Sequence, residues 1–156
     1  MSNISFSPRK SGFTIVELLI VIVVIGILAA ISIVAYSGIQ ERAKVAKANT
    51  DLATLVKSIQ IARLSVGKTL MGVTGSGCTR CAGTQAAYDL ALDNISLAAG
   101  TNLSFLKVGD PWGDRYVLDE NEGEQVATPC VRDSLTLGAV HSGVQAAVVP
   151  FYNCPN

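Results

Sequence analysis

Four cysteines and one histidine are the side chains whose types point most directly to metal or redox chemistry. They are Cys78, Cys81, Cys130, Cys154 and His141. The first two have the Cys-x-x-Cys spacing of a zinc ligand pair, and Cys130 with either Cys154 or His141 would complete four ligands. An even number of cysteines in an exported segment predicts two disulfides instead, with three alternative pairings. A redox role like that of thioredoxin is disfavoured because no βαβ pattern surrounds the pair.

Acidic residues are concentrated between Asp110 and Glu124, where six carboxylates accompany one arginine. The spacing of Asp119, Asn121 and Gly123 does not fit the EF-hand pattern for calcium. We therefore expect a solvated acidic loop, assign no metal ligands and expect no cofactor, with calcium and zinc as the two metals left open.

Enzymatic and nucleic-acid functions have little support. His141 has no sequence-apparent acid or nucleophile partner and is predicted to be a solvated histidine in a turn. The glycine-rich stretch from Gly72 to Gly77 lacks the Lys-Ser/Thr of a phosphate-binding loop. Lysine plus arginine and aspartate plus glutamate each total 12, so no basic excess points to nucleic acid. The chain is predicted not to be an enzyme, and its 156 residues exclude a large multidomain protein.

An apolar block runs from Phe13 to Tyr36 near the start of the chain, and its only formal charge is Glu17. This element must position any functional group in the N-terminal segment. A helix of this length reaches about 36 Å, enough to cross a hydrocarbon core of about 30 Å. The cations Arg9 and Lys10 precede it and favour a cytoplasmic N-terminus with the remainder exported. A carboxylate inside a membrane segment is costly and marks a function or a partner.

Two alternatives for this block are a secretory signal peptide, cut near Ala35 to Ser37, and a plain single-pass anchor. Neither explains Glu17. A purely structural alternative for Glu17 is that its carboxylate snorkels to the lipid headgroups from near the helix end.

Helical periodicity continues beyond Tyr36. Apolar residues recur at spacings of three and four along Val45, Ala48, Leu52, Leu55, Ile59, Ala62 and Val66. This predicts one long helix, apolar in its first half and amphipathic in its second, that ends at Gly67. The alternative of an anchor followed by a coiled-coil stalk would need several more heptads.

The rest of the chain predicts a small head. A second helix is expected from Thr84 to Ala99, stopped by Gly100. Its inward positions are predicted to be Ala87, Leu90, Ala91 and Leu97 or Ala98. Strands are predicted at Tyr116 to Leu118, Leu135 to Val140 and Val144 to Tyr152. The expected fold class is α+β, with the long N-terminal helix packed on a small antiparallel sheet.

The segment Ser11-Gly12-Phe13-Thr14-Ile15-Val16-Glu17-Leu18-Leu19-Ile20 resembles the class III signal and N-terminal helix of type IV pilins and pseudopilins. The resemblance implies cleavage by a prepilin peptidase between Gly12 and Phe13, followed by methylation of the new amino terminus at Phe13. It also implies that Glu17 meets the freed amine of a neighbouring subunit during filament assembly. The expected organisation is a leader over 1–12, a long helix over 13–66 with its membrane segment at 13–36, and a head over 67–156.

A second segment, Asp110-Pro111-Trp112-Gly113-Asp114-Arg115-Tyr116, resembles the Asp-Pro-Trp-Gly segment of major pseudopilins. Physically it predicts a turn, in which Pro111 and Gly113 set the backbone and Trp112 anchors the loop. Many pilins have a C-terminal disulfide, so the resemblance favours pairing Cys130 with Cys154, which leaves Cys78 for Cys81.

The resemblance implies a structural pilin subunit of a type IV pilus or similar filament, with a major pseudopilin of type II secretion as the alternative. A membrane-anchored, cysteine-rich metal or redox protein is the competing class. The implied partners are further copies of the chain, the prepilin peptidase, the assembly platform with its motor, and the membrane. The implied locations are the cytoplasmic membrane for the precursor and the cell surface for the filament. Adhesion, motility or secretion would then be properties of the filament.

Overall fold

The computed structural model describes residues 12–75, 79–124, 127 and 129–154 of the chain. Its helices are α1 (Ile15–Val66), α2 (Leu70–Thr74), α3 (Thr79–Ala82), α4 (Gln85–Ala99) and the 3₁₀ helix η1 (Ser104–Val108), and its strands are β1 (Tyr116–Asp119), β2 (Ser134–Leu137) and β3 (Ala147–Val148). Two compact units are present, Met1–Glu41 and Arg42–Asn156. Helix α1 contributes residues to both.

The first unit, in its described part, is the apolar half of α1 and the residues just before it. The predicted long helix is confirmed at 52 residues. The helix begins at Ile15, and Phe13 and Thr14 precede it as non-helical residues. All residues from 12 to 41 are exposed. By length and composition the helix can cross a membrane, and none of its most apolar stretch is buried.

Polar side chains in this apolar half satisfy their own hydrogen bonds. The Ser32 hydroxyl donates to the carbonyl of Leu28 at 2.7 Å, and the Ser37 hydroxyl donates to the carbonyl of Val34 at 3.0 Å. Unsatisfied polar groups are expensive in lipid. Both serines are therefore compatible with a membrane environment.

In the second unit, α1 packs through the predicted apolar face. The buried members of that face are Ala48, Leu52, Leu55, Ile59 and Ala62. The face is shorter than predicted, because Val45 is only half-buried and Val66 is 43% exposed. Gly67 ends the helix with a φ of +67°, and the amides of Gly67 and Lys68 both donate to the carbonyl of Arg63. A positive φ favours glycine, as the sequence indicated.

Helix α4 confirms the second predicted helix, but the residues that it buries differ in part from those predicted. Its buried residues are Tyr88, Ala91, Leu92 and Ile95. The predicted inward residue Leu90 is 59% exposed, so that part of the prediction is wrong. Of the two alternatives at the end of the helix, Ala98 packs against the core and Leu97 is 86% exposed. The Tyr88 hydroxyl donates to the carbonyl of Leu106 at 2.9 Å. This bond allows a large, partly polar side chain to take the inward position.

The described strands form an antiparallel sheet in the order β1-β2-β3. Tyr116 is paired with Leu137 across β1 and β2, and Leu135 is paired with Ala147 across β2 and β3. Alternate residues of these strands face a core shared with α1 and α4, and among them Tyr116, Leu118 and Leu135 are buried. Strand β2 ends at Leu137, before the predicted end at Val140. At Gly138 a Cβ atom would lie 2.9 Å from the carbonyl oxygen of Arg115, so the chain departs from the strand where only glycine fits.

Candidate functional site

The N-terminal segment places the predicted cleavage and assembly residues on one exposed stretch. Gly12 and Phe13 precede α1, and Phe13 is 82% exposed. The Thr14 hydroxyl accepts a hydrogen bond from the Glu17 amide at 3.2 Å. In return, the Thr14 amide and hydroxyl donate to the Glu17 carboxylate at 2.9 and 2.7 Å. This reciprocal pattern is a capping box, in which threonine caps the helix and the glutamate three residues later closes it.

This capping role of Glu17 was not predicted from the sequence. The Thr-x-x-Glu spacing ahead of an apolar run is the signal that would have found it. Within the isolated chain, the carboxylate of Glu17 therefore already accepts hydrogen bonds from its own helix start. These bonds hold the carboxylate beside the residues just after the predicted cleavage point, and Glu17 as a residue remains exposed with the rest of the segment.

The described cysteines of the head are oxidised to disulfides. Cys130 and Cys154 form a disulfide, with Cα atoms 5.7 Å apart, which ties the C-terminal segment to the stretch before β2. Cys81 is also disulfide-bonded. Cys78 lies outside the described residues, so its pairing with Cys81 stays a prediction. Sulfurs joined in a disulfide cannot act as thiolate ligands, so the zinc site proposed for these cysteines loses at least two of its ligands.

The acidic segment is not the solvated loop that the sequence predicted. Glu120 and Glu122 are only 1% and 2% exposed. The carboxylate of Glu122 forms a buried ion pair with the Arg63 guanidinium. Arg63 also lies 3.6 Å from the carboxylate of Asp133 and donates to the carbonyl of Pro150 at 2.9 Å. The expectation failed because the partner cation comes from α1, far away in the sequence.

Glu122 also holds the C-terminal segment. Its carboxylate accepts from the amides of Tyr152 and Asn153, at 2.9 and 2.7 Å for the shorter contacts. Asp133 accepts from the Glu122 amide at 2.8 Å, and burial raises the pKa of Asp133. The Arg63 group, defined as Arg63, Glu122 and Asp133, therefore joins the end of α1, the acidic segment and the C-terminal segment.

Two further buried polar groups fix the sheet. Burial raises the pKa of Glu120, whose carboxylate accepts from the amide and hydroxyl of Thr79. The Tyr116 hydroxyl donates to Asp51 at 2.6 Å, and Lys47 reaches the same carboxylate oxygen at 2.6 Å. Burial and this bond to Asp51 raise the pKa of Tyr116 well above its usual range. These contacts are structural, because each group has its partners within the fold.

The segment from Asp110 to Tyr116 forms the predicted turn. One Asp110 carboxylate oxygen accepts from the amides of Trp112 and Asp114, at 2.9 and 3.0 Å. The Trp112 ring stacks on the His141 ring, with centroids 3.9 Å apart and an interplanar angle of 8°. His141 is thus half-buried and is not the solvated histidine that the sequence predicted.

Comparison with known proteins agrees with the geometry of the N-terminal segment. The family described as "Prokaryotic N-terminal methylation motif" matches residues 7–33. The type IV major pilin protein PilA of Myxococcus xanthus (strain DK1622) is 50% identical over 50 residues, which are 32% of this chain and 23% of that protein. No solved structure gives a significant match.

Two longer matches extend beyond the N-terminal segment. A fimbrial protein of Pseudomonas aeruginosa is 32% identical over 135 residues, which cover 86% of this chain and 82% of that protein. The type II secretion system core protein G of Aeromonas hydrophila is 31% identical over 117 residues, which cover 70% and 73%. The chain belongs to the type IV pilin and pseudopilin family. It is a structural subunit of that class, and the longer fimbrial match favours pilin over pseudopilin.

Proposed function

We propose that the chain is made as a membrane-anchored precursor, cut between Gly12 and Phe13, methylated at Phe13 and polymerised through α1 into a type IV pilus. The observation that carries this proposal is the exposure of the whole apolar half of α1, whose side chains find no cover within the described part of the first unit. An exposed apolar surface of this size must be covered by lipid or by other proteins. Lipid covers it in the precursor, and α1 of neighbouring subunits covers it in the filament.

Charge pairing directs this assembly. Cleavage before Phe13 creates an amine four residues before Glu17, next to the start of α1. In apolar surroundings both charges need partners. Subunits staggered along a filament allow the amine of one subunit to meet the carboxylate of the next, where the attraction is stronger than in water. The capping box keeps the carboxylate at the helix start, where an incoming amine can reach it.

Location and partners follow from the same segment. The precursor lies in the cytoplasmic membrane with its N-terminus in the cytoplasm, where the prepilin peptidase acts, and with its head exported. The disulfide between Cys130 and Cys154 is consistent with an oxidising compartment for the head. An assembly platform and its motor then extract the subunit into a surface filament of identical copies.

A pseudopilus of type II secretion is the second candidate. The observation in its favour is the Asp110 to Tyr116 segment, together with the secretion core protein among the relatives. In the structure this segment builds a turn ahead of β1. A turn of this kind serves a pilin head equally well, so the segment discriminates only weakly between the two filaments.

Blocking the cleavage tests the proposal. We expect wild-type chain co-expressed with a prepilin peptidase to lose residues 1–12, whereas Gly12→Val stays at precursor mass. A Cβ atom at Gly12 would meet nothing within 4 Å, so the substitution disturbs no contact of the described chain and any effect reflects the peptidase. Gly12→Ala, which adds only a methyl group, is the matched control and should be processed. Equal processing of wild type and Gly12→Val would contradict the proposed cleavage point.

A further inference from the structure

A cluster outside the assembly segment contains Asp110, Asp114 and His141. One carboxylate oxygen from each aspartate and one ring nitrogen of the histidine lie within 4.8 Å of one another. Asp110 and Asp114 belong to the turn before β1, whereas His141 lies in the connection between β2 and β3. The fold therefore brings together metal-ligating side chains from two separate segments of the head.

Two atoms of this cluster are buried without a hydrogen-bond partner. They are the second carboxylate oxygen of Asp110, Oδ2, and the Nε2 nitrogen of His141. Asp110 as a whole is only 6% exposed. Buried polar atoms are nearly always satisfied by protein, water or an ion. An unpartnered carboxylate oxygen and an unpartnered ring nitrogen in one cluster point to a shared cation.

The surroundings hold these ligands in place. The other oxygen of Asp110, Oδ1, accepts from the amides of Trp112 and Asp114, so the carboxylate cannot rotate freely. The stacked ring of Trp112 fixes the plane of the His141 imidazole. Hydrogen bonds to a ligating carboxylate are common in metal sites, where they orient the ligand. The Nζ of the nearby Lys44 lies 5.9 Å from the Trp112 ring centroid. Trp112 itself is not a metal ligand.

We propose that Asp110, Asp114 and His141 bind one divalent cation of the zinc class. Zinc accepts nitrogen and carboxylate oxygen together in a tetrahedral site, with a fourth position open to water. Calcium and magnesium prefer all-oxygen sites, so a histidine ligand disfavours them. In a zinc site the ligand atoms lie about 2.0–2.1 Å from the metal. They are then closer to one another than the 4.8 Å within which the three ligand atoms lie in this structure. Zinc binding therefore requires the ligand atoms to move closer together, and the exposed side chain of Asp114 can contribute to this by rotating.

The bound cation would clamp the turn before β1 to the connection between β2 and β3. This inference is independent of filament assembly, because all three ligands belong to one head. It shares His141 with the zinc site considered from the sequence and two carboxylates with the acidic segment, but it uses no cysteine and no acidic residue after Asp114.

Zinc titration of the untagged, full-length protein in detergent, without reductant, tests the site by calorimetry. We expect one equivalent of zinc to bind with micromolar or tighter affinity. His141→Ala and Asp114→Asn should each weaken binding at least about 10-fold, the lower end of what even outer partners of a metal site contribute. Asp114 is exposed, so its variant should fold, and far-ultraviolet circular dichroism verifies this for both. His141 is the chain's only histidine, so a loss in His141→Ala locates the metal.

Glu124→Gln is the matched control, because it removes an exposed carboxylate of the acidic segment outside the cluster. Its affinity for zinc should stay within twofold of wild type. The proposal is overturned if wild type takes up no zinc, if His141→Ala binds as tightly as wild type, or if Glu124→Gln loses binding. Tighter binding of calcium than of zinc would also overturn it.

Discussion

Cells that express Glu17→Gln should yield at least about tenfold fewer filaments than wild-type cells, while the subunit accumulates in the membrane. Glutamine can still close a capping box, because the pattern accepts either glutamate or glutamine at this position. The substitution therefore removes the charge and keeps the helix start. Without the carboxylate, the amine of a neighbouring Phe13 would be left unpaired among apolar helices. Sheared filaments and membrane fractions, quantified by immunoblotting, measure the result.

Thr14→Ala is the matched control for this experiment. It removes the hydroxyl that caps α1 and keeps the charge of Glu17. We expect it to assemble within a few-fold of wild type. The opposite pattern, with filaments lost in Thr14→Ala and retained in Glu17→Gln, would mean that Glu17 acts as a cap. Charge pairing between subunits would then be wrong.

Replacing Arg63 by methionine should lower the free energy of unfolding of the head by about 3–5 kcal/mol. Arg63 is 2% exposed, and its removal leaves the carboxylates of Glu122 and Asp133 buried without a cation. Methionine has a similar length, so the loss reports charge and hydrogen bonding more than packing. Urea unfolding of the full chain in detergent, followed by fluorescence of the single Trp112, measures the change.

Lys57→Met provides the control, since Lys57 is an exposed cation on the same helix. Its effect should stay within about 0.5 kcal/mol of wild type. Equal stabilities of Arg63→Met and Lys57→Met would show that the Arg63 group contributes little to holding the C-terminal segment.

Local patterns predicted the parts of the fold that depend on neighbouring residues. The period of α1 identified its buried face, and Gly67 and Gly100 end α1 and α4 with positive φ values as expected. Helices α2 and α3 and the 3₁₀ helix η1 were not predicted. Helices this short have little intrinsic stability, and their formation depends on packing that a local pattern does not contain.

Long-range contacts explain the features of the candidate sites that were not predicted. Arg63 lies outside the apolar positions that indicated the buried face of α1, and its burial depends on Glu122, 59 residues further along the chain. The orientation of α4 likewise depends on a hydrogen bond from Tyr88 to a carbonyl 18 residues away. In the same way, His141 contacts the turn at Asp110 because the fold brings together two segments that are far apart in the sequence. The N-terminal motif was easier to identify, because its residues act within about one helical turn.

The mature N-terminus of the assembled subunit is the most direct test. Filaments sheared from cells should contain this chain, and intact mass with N-terminal sequencing should find Phe13 as the first residue, carrying one methyl group. A polymer built from exposed apolar helices requires this freed amine beside Glu17. Filament subunits that still begin at Met1, or chain that is recovered only as a soluble form beginning at Gly38, would contradict the account.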